Sequence, residues 1–182
     1  LYLAITVDRK IEGPRIIVSN EGGMEIEKVA KERPFSILSE IIDVRYGLMP
    51  YKVRRLFYFL NLDPVLIDSF SLICERLYRI FIEKECLLCE INPLAIFDNG
   101  GFSALDAKIV FDDNALFRNK EVLELYDPDQ EDPIEGEAKK FGLNYVKLSR
   151  KTGCVANGAG LAMATMDLVR EANKEPANFL EV

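Results

Sequence analysis

Four polar side chains near the middle of the chain are spaced so that they can act together. Leu87 to Phe97 and Phe102 to Phe111 are rich in strand-forming residues and flank Asp98-Asn99-Gly100-Gly101, a strong hairpin-turn sequence. Successive side chains on a strand point to opposite faces. Glu90 and Asn92 therefore share one face of the first strand, and Asp106 and Lys108 share one face of the second. A loop from Phe97 to Gly101 pairs Ile96 with Phe102, which sets Asn92 opposite Asp106 and Glu90 opposite Lys108. Two carboxylates, an amide oxygen and an ammonium group then gather on one patch. Oxygen donors of this kind suit Mg²⁺, which takes one or two protein ligands and completes its octahedron with phosphates and water. The other reading is a solvated polar face with one cross-strand ion pair.

A second sequence with chemical potential is Asn157-Gly158-Ala159-Gly160, between a strand expected over Thr152 to Ala156 and a helix over Leu161 to Ala172. Glycines let backbone approach an anion closely, and the free N–H groups of a helix start favour negative charge. A structural turn with Asn157 as helix cap is the alternative. The helix is almost wholly apolar (Leu161-Ala162-Met163-Ala164-Thr165-Met166), which predicts that it is buried. Cys86 and Cys89 form a CxxC, but no second CxxC and no histidine completes a zinc site, and the apolar Cys-Leu-Leu-Cys run reads as core.

The elements that must position these residues follow from periodicity and turn signals. Leu1 to Thr6 and Arg15 to Ser19 read as an antiparallel pair of strands around the Gly13-Pro14 turn signal. Glu21 to Glu25 is a glycine loop, followed by a helical stretch. A further helix starts near Pro50, and Pro64 to about Lys84 carries Leu66, Phe70, Ile73, Leu77, Ile80 and Phe81 as a helical stripe. A short helix follows Asn114. The acidic, Pro-bearing run Tyr126 to Pro133 reads as a domain boundary. Beyond it, a short helix over Glu135 to Phe141, strands at Asn144 to Leu148 and Thr152 to Ala156, the apolar helix and a strand at Asn178 to Val182 read as a βαβ unit with a parallel sheet.

Composition excludes several classes. With 182 residues, 49% hydrophobic and 29% charged, the chain is globular, neither disordered nor a coiled coil. The net charge of −7 argues against a nucleic-acid binder. No apolar run is long enough to span a membrane, so no membrane partner is expected. Histidine is absent, so any imidazole chemistry must come from another chain or segment. The chain begins and ends within strand-like sequence, which predicts an internal piece of a longer protein.

Several segments together resemble the β subunit of succinyl-coenzyme A synthetase, the ADP- or GDP-forming succinate–CoA ligase. They are Val7-Asp8-Arg9, Ser19 to Glu27, Glu90-Ile91-Asn92-Pro93-Leu94, Ala104 to Lys108, Phe141 to Val146, Asn157 to Asp167 and Pro176 to Leu180, all in the family's order. The resemblance implies an α/β and α+β architecture: the second subdomain of an ATP-grasp fold over residues 1–126, an acidic linker over 127–135, and the N-terminal part of a flavodoxin-like CoA-ligase domain with a parallel sheet over 136–182. It implies Asn92 and Asp106 as Mg²⁺ ligands and Glu90 as the catalytic glutamate that steadies a visiting phosphohistidine. It also implies Asn157 at the succinate site, and Gly158, Ala159 and Gly160 at a phosphate-binding helix start. The implied substrates are ATP or GTP, CoA and succinate, and the implied partner is an α subunit carrying the phosphorylated histidine in a heteromer of the tricarboxylic acid cycle. The implied setting is bacterial or archaeal cytoplasm, or mitochondrial matrix, and this piece alone is expected to be inactive. Ser149-Arg150-Lys151-Thr152 departs from the family's usual Asp-Gly-led turn, which leaves malate–CoA ligase as an alternative; a non-catalytic, partner-binding scaffold is another.

Overall fold

The computed structural model describes residues 1–97, 100–127, 132–148 and 151–182. The chain divides into two compact units, Leu1–Leu123 and Glu124–Val182.

The first unit is built on a five-stranded antiparallel sheet. Its strands are β1 (Tyr2–Asp8), β2 (Gly13–Ser19), β3 (Ile37–Ile41), β4 (Cys86–Ile91) and β7 (Ala107–Phe111), in the order β3-β2-β1-β4-β7. Between β4 and β7 a two-stranded ladder of β5 (Leu94–Ile96) and β6 (Phe102–Ala104) extends the hairpin. Each long strand expected from the sequence is thus divided in two, at Asn92-Pro93 and at Leu105-Asp106. Proline has no N–H to give to a ladder, so pairing breaks there. Asp98 and Asn99 lie outside the described residues, as do Pro128 to Glu131 and Ser149-Arg150; at the visible end of the loop, the Phe97 N–H donates to the Gly101 carbonyl at 2.8 Å.

One face of the sheet carries the core. Leu3 and Ile5 of β1, Ile16 and Val18 of β2, and Cys89 and Ile91 of β4 point to the same side and are buried. Two helices cover them. Helix α2 (Pro50–Phe59) starts on a proline, where the missing N–H costs nothing, and buries Val53, Leu56 and Phe57 at helical spacing. Asp63 caps the turn before α3 (Ile67–Glu83) by accepting from the Val65 N–H at 3.0 Å, and α3 buries Phe70, Cys74, Leu77 and Phe81. Ile80 of the expected stripe lies outside it, at 39% exposure. The Phe70 ring packs at a tilt against both Phe57 and Phe102, tying α2 and α3 to the β5–β6 ladder. Helix α1 (Ile26–Glu32) and the single turn α4 (Lys120–Leu123) complete the unit.

Two expectations change here. The turn between β1 and β2 is residues 9–12, with Glu12 at φ 52°, and Gly13-Pro14 already belongs to β2, which pairs Asp8 with Gly13. The helical stretch after Glu25 is short, and β3 follows it as an edge strand that the sequence pattern does not reveal.

The second unit holds α5 (Pro133–Lys140), β8 (Asn144–Lys147), α6 (Ala159–Glu171) and β9 (Asn178–Glu181). The expected parallel sheet is only partly present. The ladder between β8 and β9 is antiparallel, while residues 152–156 run parallel to β9 through two isolated bridges, Thr152 with Pro176 and Ala156 with Glu181. Asn178 organises this segment: its buried side chain accepts from the Cys154 N–H at 2.9 Å and donates to the Cys154 carbonyl at 2.8 Å. A side-chain amide paired in this way substitutes for a ladder rung, so residues 152–156 need not form a continuous strand.

Replacing Phe70 with alanine is expected to destabilise the first unit by about 3–5 kcal/mol, read as a lower urea midpoint. An unchanged midpoint would mean that the Phe57–Phe70–Phe102 cluster is not part of the core.

Candidate functional site

The hairpin keeps one register through its interruption. Glu90 pairs with Lys108 in β4–β7, and Ile96 with Phe102 in β5–β6. Between the ladders, the Asn92 N–H donates to the Asp106 carbonyl at 3.1 Å and the Leu105 N–H to the Pro93 carbonyl at 3.1 Å. Leu88, Glu90, Asn92, Asp106 and Lys108 consequently line one cavity of about 750 Å³, closed on another side by Gly23 to Glu27. That size is in the range of small-molecule sites. The cavity lies on the sheet face opposite α2 and α3, and Ile26 and Glu27 at the start of α1 line it. Glu90 and Lys108 are ladder neighbours, but among the described residues no ion pair joins them.

Four hydrogen bonds fix the polar groups. The side-chain amide of Asn92 is held at both ends: its Oδ1 accepts from the Gly23 N–H at 2.6 Å, and its Nδ2 donates to the Met24 carbonyl at 2.9 Å. This closeness needs the glycines. A Cβ on Gly22 would stand 2.4 Å from the Leu1 carbonyl oxygen, and Gly23 has φ +81°. Asp106 is exposed and accepts from the Ala107 N–H at 2.9 Å through Oδ1. Glu90 accepts from the Tyr2 hydroxyl at 3.0 Å. Burial, and then the Glu90 charge, push the Tyr2 phenol well above its ordinary pKa, so it acts as a donor.

Asn92 and Asp106 supply hard oxygen donors, each with an unused lone pair, which fits a Mg²⁺ ion that fills its other positions with phosphate and water. Among the described residues no group of three or more His, Cys, Asp or Glu side chains could hold a metal. Tyr2 and the Gly23–Met24 backbone are absent from the sequence-derived site. Their partners lie 88 and 69 or 68 residues away along the chain, a distance no local pattern bridges.

In the second unit, Gly158 occupies the N-cap of α6 with φ +94°, and no side chain caps the helix. Asn157 thus does not act as the cap. It is exposed beside the helix start, as are Ala159 and Gly160. The Ala162 N–H makes the first intrahelical bond, to the Gly158 carbonyl, so the amides of Ala159, Gly160 and Leu161 precede the helical ladder. The helix itself is not buried as its composition suggests: only Ala162 is enclosed, and Leu161, Met163 and Leu168 are 59%, 62% and 65% exposed.

The cysteines are core residues. Cys86 and Cys89 are reduced and buried, and burial pushes the Cys89 thiol up to about 12 and Cys86 in the same direction.

A family model described as an ATP-grasp domain matches residues 1–96, more than half of the chain. The chain belongs to the ATP-grasp family. The matched ATP-grasp segment contains β1 to β5, and with them Glu90 and Asn92; Asp106 lies beyond it. A relative from Aquifex aeolicus (strain VF5) named succinate–CoA ligase [ADP-forming] subunit beta is 51% identical over 181 residues, covering 100% of this chain and 46% of that protein. Its counterpart of the same name from Hydrogenobaculum sp. (strain Y04AAS1) is 49% identical, covering 100% and 47%. The chain spans about half the length of the curated relatives it matches. Among solved structures, an ATP citrate lyase from Methanothrix soehngenii in complex with citrate and coenzyme A superposes with a TM-score of 0.67 at 22% identity, covering 99% of this chain and 44% of that one. At that identity the likeness concerns the fold.

Two outcomes follow for the ATP-grasp unit. Because the thiolate is the nucleophile and both raised pKa values keep the thiols protonated at pH 8, Cys86 and Cys89 are expected to resist iodoacetamide in the native protein and to react after unfolding, followed by mass spectrometry. Asn92→Asp cannot donate to the Met24 carbonyl and is expected to loosen residues 22–24, seen as faster amide exchange at Gly23. Unchanged exchange would mean that the loop does not depend on the amide.

Proposed function

We propose that this chain forms part of the β subunit of an ADP-forming succinate–CoA ligase, with Asn92 and Asp106 at its Mg²⁺–nucleotide site. The observation that carries the reading is the convergence of Glu90, Asn92, Asp106 and Lys108 on one cavity, in a chain 46–51% identical along its whole length to relatives bearing that name. The bacterial origin of those relatives supports a cytoplasmic setting. Among the described residues no helix is long and apolar enough to cross a membrane.

In this reading, a phosphoryl group moves from the nucleotide to a histidine of an α subunit, leaving the diphosphate. It then moves to the succinate carboxylate as an acyl phosphate, and the CoA thiol displaces phosphate to give the thioester. This chain contains no histidine, which fits a phosphorylated residue supplied by the partner. Asn92 and Asp106 would hold the ion through their oxygens, and bound Mg²⁺ offsets charge on the transferring group. Glu90, oriented by Tyr2, would accept a hydrogen bond from the visiting imidazole. At the second site, the free amides at the start of α6 would donate to phosphate, with Asn157 beside them for the carboxylic acid.

The test uses the full-length chain co-expressed with its α partner, assayed for CoA- and Mg²⁺-dependent ADP or GDP formation with succinate, malate and citrate in parallel. Succinate is expected to be strongly preferred. A preference for malate or citrate would keep the mechanism and move the substrate. No turnover with any acid by a folded complex would favour a partner-binding scaffold. Asp106→Ala is expected to weaken Mg²⁺-dependent nucleotide binding at least tenfold, measured by calorimetry at fixed nucleotide; unchanged binding would remove Asp106 from the site.

A further inference from the structure

Glu90 depends on a residue at the far end of the sheet's first strand. Ala4 stands directly across the β1–β4 ladder from Glu90 and carries only a methyl group. Side chains two residues apart on a strand share a face, so the nearest long side chain able to reach the carboxylate diagonally from β1 is Tyr2. Tyr2 is 2% exposed, and its hydroxyl donates to Glu90 Oε2 at 3.0 Å. The other side chain paired with Glu90, Lys108, closes no ion pair with it among the described residues. The phenol is therefore the side-chain group that fixes how the carboxylate is turned.

The geometry points to Tyr2 as a positioning residue, locking the Glu90 carboxylate in one rotamer at the cavity it shares with Asn92 and Asp106. Two features make the lock effective. A buried aromatic ring has little freedom to move, so its hydroxyl is a fixed donor. A phenol that stays protonated has one hydrogen, spends it on Oε2, and leaves Oε1 for a visiting group. No hydrogen bond to Oε1 is made by the described residues. Tyr2 touches neither substrate nor metal ligand in this scheme; it acts through Glu90. The inference rests on Glu90 having the role proposed above.

The experiment is a double-mutant cycle on the full-length complex with its α partner, with single-turnover phosphoryl transfer between nucleotide and the partner's histidine as the readout. Tyr2→Phe keeps the ring and removes the donor. It is expected to slow transfer about tenfold, the size of losing one hydrogen bond to a charged group, while the KM for nucleotide changes little. In a Glu90→Gln background the same substitution is expected to have no further effect. If Tyr2→Phe fails to assemble, Tyr2→Met, which fills similar space without a hydroxyl, takes its place in the cycle. An equal loss in both backgrounds, or a loss confined to KM, would overturn the positioning role. So would a wild-type rate in Tyr2→Phe while Glu90→Gln is slow. A wild-type rate in Glu90→Gln itself would remove the role of Glu90, and the inference with it, an outcome distinct from the others.

Discussion

The candidate site depends on strand register. Asn92 and Asp106 are adjacent only because one pairing offset runs from Glu90–Lys108 to Ile96–Phe102, straight through a break in the ladder. Two backbone hydrogen bonds, from Asn92 to Asp106 and from Leu105 to Pro93, carry that offset across the gap. A shift of one residue would turn Glu90 and Asn92 toward the helices and bring core side chains to the cavity. The cost of burying a carboxylate against Phe70 and Cys74, without a partner, opposes that slip. The packing of α2 and α3 on one face thus fixes which side chains the other face presents.

An antiparallel sheet commonly packs one face on the core and leaves the other more open. What is particular here is that the open face is not fully open. Tyr2, Ala4 and Ser19 lie on the side away from α2 and α3 and are still buried. The loop from Glu21 to Met24 folds over this end of the sheet and is anchored by Ser19, which accepts from the Glu21 N–H at 3.1 Å, and by the Asn92 amide. Polar groups there are held by short contacts to backbone.

Much of this was legible in the sequence, because the signals were local. The length of the loop between Ile96 and Phe102 was enough to set the register, and the alternation of side chains then named the four residues on one face. The α3 stripe and the Pro50 start were equally readable. What escaped was of two kinds. Strand β3, Ile37–Ile41, has no inside–outside alternation, since its residues are half-buried or exposed on both faces of an edge strand. The contacts of Tyr2 with Glu90 and of Asn92 with Gly23 and Met24 join segments far apart in sequence and are created only when β1 is laid beside β4. The apolar composition of α6 suggested burial, yet most of its surface is uncovered by the described residues, because hydrophobicity states what a helix prefers to touch and not what is present to touch it.

The irregularity in β4 has a further meaning. Pairing passes from Cys86–Phe111 to Leu88–Val110, so Leu87 is an extra residue on β4 with no partner opposite it. The strand changes phase there: Cys86 and Cys89, three positions apart, both enter the core, and Leu87 is turned outward at 41% exposure. Helix α3 ends just upstream, and its length sets where the chain re-enters the sheet. With a bulge in between, the helix and the hairpin need not keep step. The phase at Glu90 follows the pairing offset of the hairpin, which Leu88–Val110 and Glu90–Lys108 share. The bulge thus lets Cys86 and Cys89 both face the core while Glu90 keeps its place on the opposite face.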